Sequence, residues 1–206
     1  PNPVYPNSTF LKDPGAQPSA VACARFTWND GKDTFYPCMD GVNNGTWGYN
    51  NLQWYGFTYY HKFNERWHLS YEMYSLHQNN VPNLNNPIAA DALINGGTPF
   101  SPQFIPFNAP NAAQCNSSNL TCTASVFATV AYLNYKFSDL DNISIRPEFY
   151  NDQAGQRTGT KTRYLNLGLG WQHWFSPQIE IRPEADCYYA LDKAAFNGNS
   201  NAGIKP

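Results

Sequence analysis

Charge is scarce in this chain. Of its 206 residues, 13 are Lys or Arg and 15 are Asp or Glu, 14% in all, against about 25% in an average soluble domain. Without a basic excess there is no electrostatic footprint for nucleic acid, and no such partner is expected. No run approaches the roughly 18 consecutive apolar residues of a membrane-spanning helix. No phosphate loop, nucleophile elbow or zinc-protease motif occurs. The four histidines, His61, His68, His77 and His173, show no zinc-ligand spacing with cysteine. The chain is therefore expected to be no enzyme and to hold neither cofactor nor metal. It also lacks an initiator Met and a signal peptide, which suggests a mature or truncated segment.

Aromatics, by contrast, are abundant: 14 Tyr, 13 Phe and 6 Trp, 16% of the chain. Mean hydropathy is nevertheless −0.55, so the apolar side chains must be placed selectively. Disorder is excluded by the same aromatic content. Five cysteines include two local pairs in Asn/Pro-rich sequence, which suits an oxidising compartment. Disulfides Cys23–Cys38 and Cys115–Cys122 are expected, with Cys187 left as a free thiol facing lipid or core.

Residues 1–45 read as a loop-rich, extracellular segment, because Pro, Asn, Asp and Gly recur without an apolar period. Six aromatic or β-branched runs follow within 46–190: Thr46–Phe63, Arg66–His77, Ser125–Phe137, Ile143–Asp152, Lys161–Phe175 and Gln178–Ala190. A long connection, 78–124, separates the second from the third, and 191–206 reads as a loop-like tail. Most runs alternate strictly. Leu165, Leu167, Leu169 and Trp171 alternate with Asn166, Gly168, Gly170 and Gln172; Ile143, Ile145, Pro147 and Phe149 with Ser144, Arg146, Glu148 and Tyr150. Successive strand side chains point to opposite faces, so each run has one apolar and one polar side. The third run is weaker, since Val126, Ala128 and Val130 fall on its polar parity.

Short links with odd residue counts join Phe63 to Trp67, Phe137 to Ile143 and Phe175 to Ile179. Odd loops keep both strands' apolar sides on one surface. Ile145-Arg146-Pro147-Glu148 recurs as Ile181-Arg182-Pro183-Glu184, so one hairpin unit repeats. The fold class expected is all-β, an antiparallel up-and-down meander. From these links Asn134 should face Arg146, Tyr132 face Glu148, Gly170 face Glu184 and Gly168 face Asp186. Pro147 and Pro183, which cannot donate to a ladder, should mark a bulge or bend.

Two architectures share this alternation: a soluble sandwich packed on its apolar faces, and part of a transmembrane β-barrel with apolar residues outside and a polar lumen. Three features favour the barrel. Its polar face concentrates Glu, Arg and Asp. Phe63, Trp67, Phe137 and Phe175 stand beside the turns, as an aromatic girdle would. Tight turns at one end alternate with long loops at the other. Six strands close no known single-chain barrel, and open edges are not tolerated in lipid. Either strands lie outside this segment, which is preferred, or chains assemble.

The repeated Ser/Glu-Ile-Arg-Pro-Glu hairpin resembles OmpL-like β-barrel porins of Gram-negative bacteria. So do Phe149-Tyr150-Asn151-Asp152 with Arg157-Thr158-Gly159, and Leu167-Gly168-Leu169-Gly170 before a Ser-Pro turn. The resemblance covers about residues 46–196. It implies a larger barrel, an outer-membrane location and passive solute transport. The chain departs from that pattern in its cysteine-bearing loops and in lacking a closing strand with a terminal aromatic.

The expected function is a porin-like channel for small hydrophilic solutes. Glu72, Arg146, Glu148, Glu180, Arg182, Glu184 and Asp186 would line its lumen, with an excess of acid that favours cations. Arg–Glu pairs that merely stiffen the wall remain an equal reading of these residues. Partners would be outer-membrane lipid and the solutes, with a homo-oligomer or a surface partner contacting the long loops. The alternatives are a secreted all-β module binding glycan or protein, and a barrel serving surface assembly.

Overall fold

The computed structural model describes residues 18–42, 52–94 and 113–196. Residues 46–51 of the first expected run and 197–206 of the tail lie outside these. The strands are β1 (Ala20–Cys23), β2 (Phe26–Trp28), β3 (Asp33–Val42), β4 (Leu52–Lys62), β5 (Trp67–Pro82), β6 (Thr121–Lys136), β7 (Asp141–Asp152), β8 (Thr162–Ser176), β9 (Ile179–Ile181) and β10 (Glu184–Ala190). One helix, α1 (Pro87–Ile94), follows β5. All ten strands form a single antiparallel sheet in the order β1-β3-β4-β5-β6-β7-β8-β10, with β2 also on β3 and β9 also on β8. β1 and β2 act as one interrupted strand, as do β9 and β10. β1 and β10 do not pair with each other, so the sheet is open.

Residues 20–42 are a correction to the reading of 1–45 as loop. β2 and β3 form a hairpin, Phe26 opposite Phe35 and Trp28 opposite Asp33, turned by Asn29, Asp30 and Gly31, all at positive φ. Asn and Asp tolerate that conformation and Gly adopts it freely, which is why such residues make tight hairpins. The expected pair Cys23–Cys38 is a disulfide, but it bridges neighbouring residues of β1 and β3 rather than closing a loop.

Three other hairpins, β4–β5, β6–β7 and β8–β9, turn at this same end and follow one recipe, a Phe followed by a side-chain acceptor. Asn64 Oδ1 accepts the N–H groups of Arg66 and Trp67. Ser138 Oγ accepts from Leu140, and Ser176 Oγ from Gln178 and Ile179. These are local Asx- and Ser-turns that satisfy backbone donors where the ladder stops. Lys136 pairs with Asn142, so β7 starts earlier than expected and its register on β6 moves by two residues. Asn134 faces Ser144 and Val130 faces Glu148, not Arg146 and Tyr132 as the sequence suggested. A two-residue slip preserves the face, so the inside–outside pattern survives. On β8, Gly170 faces Glu184 and Gly168 faces Asp186 as expected. Pro183 falls in the break between β9 and β10.

At the opposite end β5 and β6 run further than their apolar runs, to Pro82 and from Thr121. A bulge between Gln78 and Val81 lets them continue, with Asn80 at φ 56°. The connection beyond is folded by asparagines. Asn83, fully buried, donates to the carbonyls of Ser117 and Asn119 and accepts from the N–H groups of Asn85 and Cys115. Asn86 caps α1, its Oδ1 accepting from Ile88 and Ala89, and Pro87 takes the first helical position, where no N–H is needed. The second expected disulfide, Cys115–Cys122, ties this cap. Val81, Ala113, Cys115, Ala124 and Ala154 make its small apolar core.

Candidate functional site on the polar face

The two faces of the sheet are exposed in the reverse of the usual order. Along β8, Leu165, Leu167, Leu169 and Trp171 are exposed, with Leu167 at 50% and Leu169 at 52%. The intervening Asn166 and Gly168 are buried. On β7, Ile143, Ile145 and Pro147 are exposed while Ser144, Arg146 and Glu148 are sheltered. Ile181 repeats this at 48%. Water-soluble monomers seldom leave so broad an apolar surface bare.

On the polar face Arg146, on β7, reaches across β8 to β10. Its Nη1 lies 2.9 Å from Glu184 Oε1 and its Nη2 2.6 Å from Asp186 Oδ1. Asn166 Nδ2 also donates to that Asp186 oxygen, at 3.0 Å, and the guanidinium sits 6.0 Å from the Tyr132 ring centroid. Gly168 makes the crossing possible. A Cβ there would stand 2.8 Å from Asp186 Oδ1 and 3.2 Å from both Arg146 Nε and Glu184 Oε1.

The structure thus brings three of the seven expected lining residues into one ion triad. Glu180 pairs with Arg182 at 3.2 Å nearer the turns, where Arg182 is 71% exposed. Glu72, on β5, stands opposite Thr58 and Val130, and Glu148 opposite Val130 and Asn166. The ion pairs among the described residues leave both carboxylates without a cationic partner. Sheltered charge must be paired or wet: the triad is paired, and Glu72 and Glu148 need water or a solute.

The four expected girdle residues, Phe63, Trp67, Phe137 and Phe175, are exposed, all beside the turns. Sequence reasoning missed what accompanies them. Asp33 lies against His61 on β3 and β4, and Asp141 against His173 on β7 and β8. Phe63 and Phe175 each meet their histidine edge-on, at 4.4 and 4.3 Å between centroids. The signal is the repeat Tyr59-x-His61-x-Phe63 and Trp171-x-His173-x-Phe175, with an Asp opposite each His across the ladder. It explains how two histidines occupy the apolar parity. Among the described residues no group of three or more His, Cys, Asp or Glu is arranged to hold a metal ion.

Loop 153–161 folds onto the sheltered face around Asp152, whose carboxylate accepts the N–H groups of Gln156, Arg157 and Thr158. Gln156 then donates to Gln78 at 2.8 Å. After β10, Asp192 accepts from the guanidinium and backbone N–H of Arg163, which holds its carboxyl down at about 2. Cys187, the free thiol, sits opposite Leu167 on the apolar face.

The fold is all-β: one open antiparallel meander, apolar on its exposed side and ionic on its sheltered side. No family model, no curated protein and no solved structure matches the chain.

Proposed function

We propose that this sheet is wall material of a transmembrane β-barrel in a bacterial outer membrane, and that the barrel passes small hydrophilic solutes. The observation that carries this reading is the bare apolar face, Leu167, Leu169 and Ile181 about half exposed, backed by an opposite, ionic face on which half-buried Arg146 pairs with Glu184 and Asp186. In lipid the exposed side chains are in their preferred solvent, each worth about 1.5–3 kcal/mol when fully removed from water. The polar face then borders a water-filled lumen. Four turns at one end, with long connections at the other, agree with short periplasmic turns and longer outer loops. Trp67, Phe137 and the His-bearing Phe63 and Phe175 sit where an interfacial girdle would be. The resemblance to OmpL-like porins points the same way.

Closure is part of the proposal. Hydrocarbon leaves no unpaired sheet edge, so β1/β2 and β9/β10 join each other, further strands of a longer chain, or another copy. Eight strand positions lie along the sheet path among the described residues; a closed barrel of about 8 strands is filled by its own side chains, so a conducting wall takes further strands or another copy. Carboxylates outnumber cations among the lining residues, so conduction favours cations. The test is single-channel recording in planar bilayers. Discrete steps with cation selectivity are expected, and Glu72→Gln with Glu148→Gln should move the reversal potential towards zero. A protein that stays monomeric in water without detergent and gives no conductance would contradict the reading.

A further inference from the structure

One recess on the sheltered face has a lining more specific than passive diffusion needs. It holds about 380 Å³ between β7, β8, β10 and the segment after β10, and is walled by Glu148, Tyr150, Tyr164, Asn166, Tyr188 and Phe196. The four rings meet edge to face, with centroids at 6.3 Å for Tyr150–Tyr164, 5.8 Å for Tyr164–Phe196 and 6.3 Å for Tyr188–Phe196. Phe196 is brought there because Asp192 is clamped to Arg163 and the N–H groups of Asp192 and Lys193 are held by Thr162 Oγ1.

The one charged group in this lining is the Glu148 carboxylate. Glu148 makes no ion pair among the described residues. Asn166 is 5% exposed, and its Nδ2 is committed to Asp186. That bond fixes the amide, whose Oδ1 is buried from solvent. The Tyr164 hydroxyl already donates to Thr158 Oγ1, at 2.9 Å. Aromatic faces carry negative potential and attract cations. A ligand that satisfies this lining brings positive charge, N–H donors and a small hydrocarbon body.

We propose that the recess is a binding subsite for organic ammonium ions, the ammonium against the Glu148 carboxylate and its alkyl stem among the rings. A neutral sugar could donate hydrogen bonds to the carboxylate but would leave its charge uncompensated, and an anion would be repelled by it. The subsite deepens the channel reading by naming a solute class, and rests on it only for the route by which solute arrives.

The test is calorimetric titration of the detergent-solubilised protein with n-butylammonium, tetramethylammonium, butyrate and maltose. The expected order is butylammonium first, tetramethylammonium weaker for want of N–H donors, and no binding of butyrate or maltose. Glu148→Gln should weaken butylammonium by about tenfold or more, the scale of a charge-assisted hydrogen bond, while Glu65→Gln in a turn leaves it unchanged. If Glu148→Gln does not fold, as judged by circular dichroism, Tyr188→Leu, at an exposed position, is read instead and should weaken binding severalfold. Unchanged affinity in the folded variant, or equal binding of butyrate or maltose, overturns the subsite. Conductance without ammonium binding removes the subsite and leaves the channel; ammonium binding without conductance does the reverse.

Discussion

The strand wall and the loop cap of this protein obey opposite rules. In the cap, Val81, Ala113 and Ala124 are buried together, polar Asn83 is clasped by four hydrogen bonds, and a disulfide closes the fold. That is how a water-soluble domain is built: apolar atoms inside, buried polar groups paired. In the wall, Leu167, Leu169 and Ile145 face out, while Arg146 is half-buried and Asn166 buried. The same chain applies one pattern in its cap and the inverse along β7 and β8. On the barrel reading proposed above, the medium outside the strands is what differs.

The comparison breaks most sharply at Leu167. Replacing it by Arg should cost about 2–4 kcal/mol in a lipid-inserted wall, read by denaturant unfolding from vesicles, and almost nothing if that face is wet. A charge added to the cap's surface should cost little in either case. Next comes Asn83→Ala, which strands the carbonyls and amides it serves at about 1–3 kcal/mol for a group left unsatisfied. The loss should appear as faster hydrogen exchange and proteolysis within 83–120, with the strands unaffected. Uniform loosening would contradict the division into two regions.

Gly168→Ala follows. A methyl group 2.8 Å from Asp186 Oδ1 must push the triad apart, costing about 1–3 kcal/mol as an overpacked site. Single-channel noise should rise as Arg146 loses its fixed pose. Smallest is the tie between Asp192 and Arg163 at the cap-side rim. Its carboxyl is lowered to about 2, so the tie is fully present above the unfolded value of about 4. It is lost as pH falls from there through 2. Proteolysis after β10 should therefore increase only below pH 4; an increase near neutrality would contradict the assignment.

How much of this was readable beforehand differs between the two regions as well. The wall was legible because alternation is a local property: Leu165 to Trp171 declares its faces without knowing any neighbour. Parity also survived the misjudged β6–β7 register, since the slip was two residues. The triad was only half legible. Gly168 opposite Asp186 follows from the turn after β8, but Arg146 crossing that glycine depends on side-chain reach. The cap was hidden, because Asn83, Asn86 and Asp152 look like ordinary loop residues until the groups they bind are brought near. β1 to β3 were missed for a different reason. Pro37 and the cysteine masked an alternation that Asn29-Asp30-Gly31 would have punctuated as a hairpin. The Asp33–His61 and Asp141–His173 pairs required partners from different strands, which periodicity does not show.

Cys187 offers the most direct test of the inverted wall, because it is the free thiol and stands opposite Leu167 on the apolar face. A nitroxide attached there, in protein reconstituted into bilayer vesicles, should be relaxed by oxygen dissolved in lipid and shielded from a water-soluble nickel chelate. The same label at Ser144→Cys, in a Cys187→Ser background, should show the reverse. Free access of the chelate to position 187, with position 144 dry, would contradict the account.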